Sequence, residues 1–463
     1  MDYDLIIIGS GPGGYVAAIR ASQLKMKVAV VERAELGGIC LNWGCIPTKS
    51  LLKSAQVFEY LTHASDYGIL IAGEAKPDFK AIISRSRSVA NGMSKGVQFL
   101  LKKNNIEHIK GFGRLAGNNS VEVEAADGNK KNYSAKNIIL ATGARSKELP
   151  NLKQDGTKII GYREAMTLEK LPASMVVVGS GAIGSEFANF YQSIGTSVTL
   201  VEFLPRLVPN EDEEVSIQLE RSFKKMKMKI MTNSSVEAVD TSKEKCLVTI
   251  KTPKGQEIIE TDIVLSAVGV VTNIEGIGLE KAGVKTEKGK VVVDDYYVTS
   301  LPGVYAIGDI VHGPALAHVA SAEGIICVEK IAGMNVDPLD YNNIPGCTYT
   351  TPEIASCGLT EVAAREAGYD IKVGKFPFTA SGKASSAGAK DGFVKLIFDA
   401  AYGELLGAHM IGANVTEMIA EIILARKLET TGHEIIKAVH PHPTMSEAIM
   451  EAAAAAYGEV IHL

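Results

Sequence analysis

The 463-residue chain has little of several features that would place it in a specialised class. Its net charge is −5, so it lacks the basic excess that nucleic-acid binding requires. No uncharged apolar run reaches the ~18–20 residues of a membrane span. The acidic N-terminus does not read as a secretory signal, and six cysteines are too few for a secreted disulfide scaffold. The sequence therefore predicts a cytoplasmic protein that binds neither nucleic acid nor membrane.

Glycine, in contrast, is abundant, with 45 residues. Such an excess is typical of chains with many tight turns or with backbone that approaches a ligand closely. The length predicts more than one domain, because a single domain usually holds ~100–200 residues.

A glycine-rich turn follows the first apolar segment. Leu5–Ile8 has the composition of a buried parallel strand, residues 15–24 suit a helix, and Val28–Val31 suits a second strand. Three glycines in GxGxxG spacing separate the first strand from the helix: Gly9, Gly11 and Gly14. Glu32 ends the second strand, 18 residues after the last of these glycines. This pattern is typical of a Rossmann unit, where the glycines admit a pyrophosphate and the acid binds ribose hydroxyls.

The same pattern recurs 170 residues later. Its glycines are Gly179, Gly181 and Gly184, and Glu202 again follows the last of them by 18 residues. Two chance turns are the alternative, which the identical spacing disfavours. Two units predict two dinucleotides, a flavin that stays bound and a nicotinamide that exchanges. Glu202 favours NAD, because a carboxylate repels the extra phosphate of NADP, although Arg206 could offset this repulsion.

Two cysteines follow the first unit, and their spacing alone leaves their role open. Cys40 and Cys45 are five residues apart, which gives ~7.5 Å of rise in an ideal helix, whereas disulfide Cα atoms usually lie within ~7 Å. A disulfide would need a distorted turn, for which Gly44 provides flexibility. Half of a zinc site is the alternative, but no second close pair completes it, and no metal site is expected. The other cysteines are scattered and typical of small buried residues: Cys246, Cys327, Cys347 and Cys357.

The run from Gly37 to Lys49 has the order Gly-Gly-x-Cys-x-x-x-x-Cys-x-Pro-x-Lys. It resembles the redox-active centre of the FAD-dependent pyridine nucleotide-disulfide oxidoreductase family. Short motifs in the family's order extend the resemblance along the whole chain. The resemblance implies further residues that hold the flavin or close its site: Gly113, Thr142, Gly143, Asp309 and Ala317.

The resemblance also places residues near the flavin and the nicotinamide. Lys49 would lie near the flavin, where Glu186 could pair with it. Gly269 opens the segment Gly-Val-Val-Thr-Asn, where the family often has Gly-Arg-x-Pro-Asn. The missing arginine and proline indicate different local contacts near the nicotinamide, without changing the class of reaction.

A histidine near the C-terminus is the candidate acid–base group. The segment from His440 reads His-Pro-His-Pro-Thr, and it resembles the family's histidine–glutamate pair through His442 and Glu447. The flanking prolines give His442 a rigid mount. His440 is the competitor for the same role. Thr444 and Glu447 also form a capping-box pattern, so Glu447 could orient His442, begin the last helix, or do both.

The resemblance implies a mechanism in which a dithiol substrate attacks a Cys40–Cys45 disulfide while His442 removes the thiol proton. Cys40 would form the mixed disulfide, and Cys45 would lie nearer the flavin. FAD and NAD are the implied cofactors. The implied substrate is dihydrolipoamide on the lipoyl domains of 2-oxoacid dehydrogenase or glycine cleavage complexes.

The alternatives differ in testable features of the sequence. An enzyme for oxidised glutathione should carry arginines at and just after the position of Glu202, and the first of these is missing here. Reduction of mercuric ion would call for a cysteine pair at the extreme C-terminus, where this chain ends Gly-Glu-Val-Ile-His-Leu. A non-catalytic FAD-binding assembly protein on the same fold would need neither the cysteine pair nor His442.

The expected fold is α/β, with two Rossmann-like dinucleotide-binding domains and a C-terminal α+β interface or dimerisation domain. The expected boundaries are 1–145 for FAD, 146–270 for NAD, 271–340 for a central segment that completes the FAD site, and 341–463 for the interface domain. Apolar helices are expected over Glu417–Leu428 and Ser446–Val460, packed at an interface or in a core. The family supplies its histidine across a dimer interface, which implies a homodimer.

Overall fold

The computed structural model describes residues 1–117 and 119–463. They form two compact units. The first unit comprises Met1–Leu51, Lys80–Lys147 and Gly269–Asp340. The second unit comprises Leu52–Phe79, Glu148–Val268 and Tyr341–Leu463. The four-domain division expected from the sequence stays a prediction.

Helices and strands alternate along most of the chain. Over the described residues the α-helices are α1 (Pro12–Gln23), α2 (Gly38–Trp43), α3 (Cys45–Thr62), α4 (Phe79–Lys103), α5 (Tyr162–Ala165), α6 (Ala182–Ser193), α7 (Glu213–Lys225), α8 (Leu279–Ala282), α9 (Ala317–Ile331), α10 (Glu361–Glu366), α11 (Gly382–Ser386), α12 (Val415–Lys427), α13 (Gly432–Lys437) and α14 (Glu447–Tyr457). None of these helices is long and apolar enough to cross a membrane.

The strands over the same residues are β1 (Tyr3–Ile8), β2 (Val28–Glu32), β3 (Glu107–Lys110), β4 (Phe112–Leu115), β5 (Ser120–Glu124), β6 (Lys130–Leu140), β7 (Ala144–Ser146), β8 (Ile159–Ile160), β9 (Ser174–Val178), β10 (Ser197–Val201), β11 (Lys229–Met231), β12 (Ser235–Asp240), β13 (Cys246–Thr252), β14 (Gly255–Thr261), β15 (Ile263–Ser266), β16 (Val270–Thr272), β17 (Thr286–Glu287), β18 (Lys290–Val291), β19 (Val304–Ala306), β20 (Gly346–Thr348), β21 (Glu353–Gly358), β22 (Ile371–Pro377), β23 (Phe393–Asp399) and β24 (Leu405–Gly412).

The sheet of the first unit has β1 at its centre. Its strand order is β3-β2-β1-β6-β5-β4, and β19 also pairs with β6. β3, β2, β1, β6 and β19 are parallel, whereas β4 and β5 continue from β6 as an antiparallel meander. Ile7 lies opposite Val30 and Ile139, and all three are fully buried. Because β1 is buried on both faces from Leu5 to Ile8, this part of the strand is a continuous apolar run. The strand ends at the first glycine turn.

The second unit contains a second parallel sheet of order β11-β10-β9-β15-β8, together with the antiparallel sheet β12-β13-β14. Its C-terminal part is the antiparallel sheet β20-β21-β24-β23-β22. Helix α14 packs on β22 and β23, and α12 packs on β21 and β24. A Cβ at Gly374 of β22 would collide with the backbone of Ala452 in α14. This close approach explains why small residues occupy the middle of that helix.

Helix ends differ from the sequence expectations by a few residues. Helix α1 begins at Pro12 and not at residue 15, because proline is well suited to the first turn of a helix. Helix α12 begins at Val415, two residues before the expected start. Helix α14 ends at Tyr457 and not at Val460, since Gly458 adopts a left-handed conformation with φ of 73°.

Candidate active site

The first glycine turn joins β1 to α1, and its three glycines meet different surroundings. Gly9 has φ of +106°, and a Cβ there would collide with the carbonyl of Ala141. A Cβ at Gly14 would collide with the carbonyl of Gly9. A Cβ at Gly11 would meet no atom of the described residues within 4 Å. Packing therefore demands two of the glycines, while the third leaves open space at the positive end of α1, where a pyrophosphate fits.

The second turn, between β9 and α6, repeats this arrangement. Gly179 has φ of +97°, and a Cβ there would crowd the carbonyl of Ala267. A Cβ at Gly184 would collide with Gly179, and one at Gly181 would meet no described atom within 4 Å. The repeated spacing in the sequence thus corresponds to two turns of one design, each with room for a phosphate at the same position.

Both strand-end carboxylates are held at these turns by a serine between the first two glycines. Glu32 Oε2 accepts hydrogen bonds from the N–H (2.9 Å) and the hydroxyl (2.7 Å) of Ser10. Glu202 Oε2 accepts the same two bonds from Ser180, at 2.8 and 2.6 Å. Neither serine was predicted from the sequence, although the repeated Gly-Ser-Gly triplet carried the signal. The serines fix the carboxylates beside the open space, where ribose hydroxyls would donate to them.

Cys40 and Cys45 form a disulfide. Their Cα atoms are 4.7 Å apart, less than the rise of an unbroken helix over five residues. The shortening comes from Gly44, which separates α2 from α3 with φ of −144° and ψ of −114°. The distorted turn that a disulfide required is present, and the zinc alternative for these two cysteines is excluded.

His442 is exposed and bonded to Glu447. Its Nδ1 lies 2.8 Å from Glu447 Oε1, and 80% of its side chain is accessible. Glu447 Oε2 accepts a 2.7 Å hydrogen bond from the Thr444 N–H. Because a carboxylate accepts, Nδ1 donates and Nε2 carries the lone pair of the neutral ring. No described residue supplies a hydrogen-bond partner for Nε2, so this nitrogen can take a proton from a substrate.

His440, the competitor, has a different environment. Only 6% of its side chain is accessible. Its Nε2 lies 2.8 Å from Glu421 and its Nδ1 lies 3.0 Å from the carbonyl of Ala438. Both neighbours are acceptors, so both ring nitrogens donate. The hydrogen bond to Glu421 raises the pKa of His440 despite its burial. A ring whose two nitrogens are both engaged by acceptors is not available as a base, which favours His442.

Thr142 and Gly143 lie after β6, where the chain is tied to the segment after β16. The Thr142 hydroxyl donates to the carbonyl of Asn273 (2.6 Å), and the Asn273 side chain donates to the carbonyl of Thr142 (3.0 Å). Gly143 has φ of +68°, and a Cβ there would meet no described atom within 4 Å. Gly269 likewise has a positive φ of 104° and open surroundings. Backbone at both glycines remains approachable by a ligand.

Asp309 lies in a single 3-10 turn, Gly308–Ile310, shortly before α9 begins at Ala317. Burial raises the pKa of the Asp309 carboxyl, and Lys290 only partly opposes the rise. A half-buried carboxyl of this kind would be stabilised by hydroxyl donors, such as those of a ribityl chain. The residues present therefore fit a flavin dinucleotide.

Three other predicted site residues have environments that leave their roles as predictions. Gly113 lies in β4, where a Cβ would press on Val31 and Ile8 of the central strands, so packing alone accounts for a glycine there. Glu186 is buried in α6, and its Oε1 accepts a 3.0 Å hydrogen bond from the Tyr349 N–H. Lys49 lies in α3, in the first unit, and its pairing with Glu186 stays a prediction.

Comparison with known proteins agrees with this site. The model of the pyridine nucleotide-disulphide oxidoreductase family matches residues 3–324, and the model of that family's dimerisation domain matches residues 344–453. A Zymomonas mobilis protein named dihydrolipoyl dehydrogenase is 50% identical over 99% of each chain. A Bacillus subtilis protein of the same name is 43% identical over 100% of this chain and 99% of its own.

Solved structures of similar proteins share the fold. LpdA from Mycobacterium tuberculosis has a TM-score of 0.90 at 28% identity, covering 97% of this chain and 98% of its own. The Cu(II) complex of RclA from Escherichia coli, a HOCl-induced flavoprotein disulfide reductase, has a TM-score of 0.88 at 25% identity, covering 98% of this chain and 99% of its own.

The fold and the site define a disulfide oxidoreductase with two dinucleotide-binding units. The chain belongs to the pyridine nucleotide-disulphide oxidoreductase family. The predicted α/β class, with two Rossmann-like units and a dimerisation domain, is confirmed. Membership implies that the enzyme binds FAD and NAD(H).

Proposed function

We propose that this enzyme oxidises dihydrolipoamide to lipoamide and reduces NAD to NADH. The observation that carries the proposal is the Cys40–Cys45 disulfide, set in the same unit as the first glycine turn. The relatives named dihydrolipoyl dehydrogenase, which match nearly the whole chain at 43–50% identity, support this choice of dithiol.

Cys40 and Cys45 divide the thiol chemistry between them. A thiolate of the substrate attacks Cys40 Sγ, the Cys40–Cys45 bond breaks, and Cys45 leaves as a thiolate. The second thiol of the substrate then attacks the mixed disulfide, which releases lipoamide and leaves Cys40 as a thiolate or thiol. When bound, FAD and NAD supply the redox chemistry that takes the two electrons on from the reduced cysteine pair.

His442 moves the protons of these steps. Its Nε2 lone pair accepts a proton from the attacking thiol, and the bond to Glu447 keeps the proton of the neutral ring on Nδ1. Glu447 also stabilises the imidazolium that forms. The two hydrogen bonds to Glu447 hold the ring and the helix start together, which limits rotation of the base.

Glu202 selects the nicotinamide cofactor in this proposal. It is buried, and Ser180 and the Leu204 N–H fix its two oxygens. A carboxylate in this position accepts from the free ribose hydroxyls of NAD and repels the phosphate of NADP. Arg206 is only half-exposed and lies 3.7 Å from Glu213, which offsets its charge.

The enzyme acts as a homodimer, with His442 of the partner subunit serving each cysteine pair. The match to a dimerisation domain over residues 344–453 supports this arrangement. Lipoyl domains of 2-oxoacid dehydrogenase or glycine cleavage complexes are the proposed partners. The cytoplasmic location expected from the sequence remains a prediction.

A four-way assay tests the proposed function. The purified protein is offered lipoamide or oxidised glutathione, each with NADH or NADPH. We expect rapid turnover only with lipoamide and NADH. Each 1.4 kcal/mol of discrimination changes the rate constant ratio ~10-fold, and an unmatched phosphate beside Glu202 should exceed that. Turnover of oxidised glutathione with NADPH would identify a glutathione-reducing enzyme, and no turnover in any pair would favour an assembly protein.

A further inference from the structure

Helix α4 contacts the loop that the redox disulfide closes, which consists of residues 40–45 and includes the end of α2. Nη2 of Arg87 donates a 2.6 Å hydrogen bond to the carbonyl of Asn42. The guanidinium carbon of the same arginine lies 4.1 Å from the ring centroid of Trp43. Asn42 and Trp43 are both between Cys40 and Cys45. The half-buried side chain of Arg87 therefore contacts the backbone of Asn42 and the ring of Trp43 at the same time.

The two residues before Arg87 contact the chain just beyond the loop. The hydroxyl of Ser86, which is fully buried, donates to the carbonyl of Pro47 at 3.0 Å. Nη1 of Arg85 donates to the carbonyl and the hydroxyl of Ser50, at 2.8 Å each. Arg85 and Ser86 thus fix the first turns of α3, on which Cys45 lies, and Arg87 contacts the residues just before it.

The loop is also held from its other side. Asn42 is 3% exposed, and its side-chain amide donates to the carbonyls of Leu36 and Gly38, each at 2.9 Å. These bonds fix Asn42 relative to the start of α2. The bond from Arg87 fixes the same residue relative to α4, so both the side chain and the backbone carbonyl of Asn42 are hydrogen-bonded.

We propose that Arg87 is a positioning residue for the redox disulfide, holding Asn42 and Trp43, the last two residues of α2, in one conformation when the Cys40–Cys45 bond is open. An open dithiol would otherwise let the intervening residues gain conformational freedom. The planar guanidinium suits this role, because it can donate in its plane and stack on an aromatic face together. The inference rests on the redox role proposed for the two cysteines.

The proposal fixes the direction of an effect. Without the contacts of Arg87, the residues between the two cysteines gain conformational freedom in the dithiol form that they lack in the disulfide form. The thiol–disulfide equilibrium therefore moves toward the dithiol. A purely electrostatic role predicts the opposite. In that case the cation would stabilise a cysteine thiolate, and its loss would move the equilibrium toward the disulfide.

The test measures this equilibrium in the full-length, flavin-loaded protein. Native protein, Arg87→Met and Arg87→Lys are equilibrated without oxygen in mixtures of reduced and oxidised dithiothreitol. Free thiols are then alkylated, and the peptide that contains Cys40 and Cys45 is quantified by mass. Arg20→Met is the matched control, since Arg20 is also a helix arginine and its 2.6 Å ion pair is with Glu329 of α9.

We expect Arg87→Met to shift the equilibrium ~10-fold toward the dithiol, which is ~30 mV for a two-electron couple. Arg87→Lys should shift it in the same direction, because lysine keeps the charge but not the planar fork. Arg20→Met should match the native protein. An Arg87→Met equilibrium equal to the native one, or moved toward the disulfide, would overturn the proposal.

Trp43→Leu removes the other partner of the Arg87–Trp43 contact. It provides the test if an Arg87 variant folds poorly. It should also favour the dithiol. Because Arg87 and Trp43 act through one contact, the double variant should shift the equilibrium by less than the sum of the single shifts. A fully additive result would contradict the shared contact.

The measurement also separates this inference from the proposed function. Dithiothreitol replaces the physiological dithiol, so the shift can be read even if dihydrolipoamide is not the substrate. A native pair that dithiothreitol cannot reduce would overturn the redox role and the inference together. A reducible pair with the expected shift, in a protein that does not oxidise dihydrolipoamide, would overturn the proposed function alone.

Discussion

At the scale of single residues, Glu447 joins the acid–base site to the start of a helix. One carboxylate oxygen meets the ring of His442, and the other accepts from the Thr444 N–H. Burial acts to raise the pKa of Glu447, but the bonds from Thr444 and His442 outweigh it and hold the pKa below its usual value. The carboxylate is therefore ionised at neutral pH, as a partner for an imidazolium should be.

Replacing this carboxylate with an amide separates its two possible roles. Glu447→Gln keeps the size and an acceptor oxygen but removes the charge. If Glu447 orients His442, kcat for dihydrolipoamide should fall roughly 10-fold or more, and the pH profile should shift. If it only caps α14, the amide can still accept from the Thr444 N–H, so stability should fall by no more than ~0.5–2 kcal/mol with nearly normal turnover. Steady-state kinetics and thermal melts on the same samples decide between the two.

Glu211 gives a pH dependence that is independent of catalysis. Burial raises its pKa to about 7, a bond from Ser356 opposes the rise, and the Asp212 charge adds to it. Among the described residues, Oε2 is buried without a hydrogen-bond partner. Since the folded pKa lies above the unfolded one, the contribution to stability is fully present below about pH 4.5 and is lost as pH rises through about 7.

Glu211→Gln should therefore stabilise the protein at alkaline pH. The amide keeps the bond to Ser356 but cannot ionise. We expect a gain on the order of 2 kcal/mol at pH 8 and almost none near pH 4.5, seen as a higher melting midpoint. Glu213→Gln, an exposed neighbour, is the control. Equal midpoints for Glu211→Gln and native protein at pH 8 would contradict the argument.

Residues whose role depends on local sequence could be predicted, and residues that act through tertiary contacts could not. The glycines and acids of the two turns follow from spacing within a single β-α-β segment. Arg87 could not be found in this way, because it lies 45 residues from Asn42 in the chain. An arginine on an amphipathic helix more often faces solvent, so no sequence pattern indicated a role for Arg87.

At the scale of elements, substitutions in the two glycine turns test whether the open space at Gly11 and Gly181 holds the cofactors. Gly11→Ala should fold with a native melting profile but hold much less flavin, because its Cβ enters the space that the pyrophosphate needs. Gly181→Ala should keep its flavin and raise the KM for NADH. Gly14→Ala is the contrast, and it should yield little folded protein, since its Cβ would collide with the backbone.

Flavin content, NADH kinetics and soluble yield of these three variants are the measurements. Full flavin content in Gly11→Ala, or an unchanged KM in Gly181→Ala, would show that the space has no such role.

Apolar runs and turn residues predicted which segments form strands and helices better than they predicted where each strand or helix begins and ends. The runs before each glycine turn are buried parallel strands, as their composition indicated. The break between α2 and α3 was predicted only as a requirement of the disulfide, because Gly44 by itself does not specify where a helix stops. Helix ends depend on capping contacts, which a hydrophobic pattern does not contain.

At the scale of the whole molecule, the two dinucleotide-binding units could be predicted because the glycines and acid of each lie within one short segment of the chain. The strand orders could not, since pairings such as β1 with β6 and β19 with β6 join distant parts of the chain. Nor did any pattern indicate that Leu52–Phe79 belongs to the second compact unit, although flanking residues belong to the first. That grouping results from tertiary packing alone.

The proposed dimer makes a prediction about shared sites. A Cys45→Ser chain and a His442→Ala chain are each expected to be inactive, with His442→Ala slowed ~10²–10⁴-fold in dithiol oxidation. In a mixed dimer, one site would receive an intact cysteine pair and an intact histidine. Activity should therefore return to about half per mixed dimer. No recovery, in dimers verified by differential tags, would mean that the histidine acts within its own chain.

The central claim is that electrons pass from the dithiol to NAD through Cys40 and Cys45, and the rate of NAD reduction by dihydrolipoamide tests it most directly. The comparison uses native protein, Cys40→Ser, Cys45→Ser and the control Cys246→Ser, a buried cysteine of the second unit whose thiol lies 3.8 Å from the carbonyl of Asp262. Flavin content is matched across samples. The account predicts near-native rates for the control and loss of turnover in both redox variants. Near-native turnover in Cys45→Ser would contradict it.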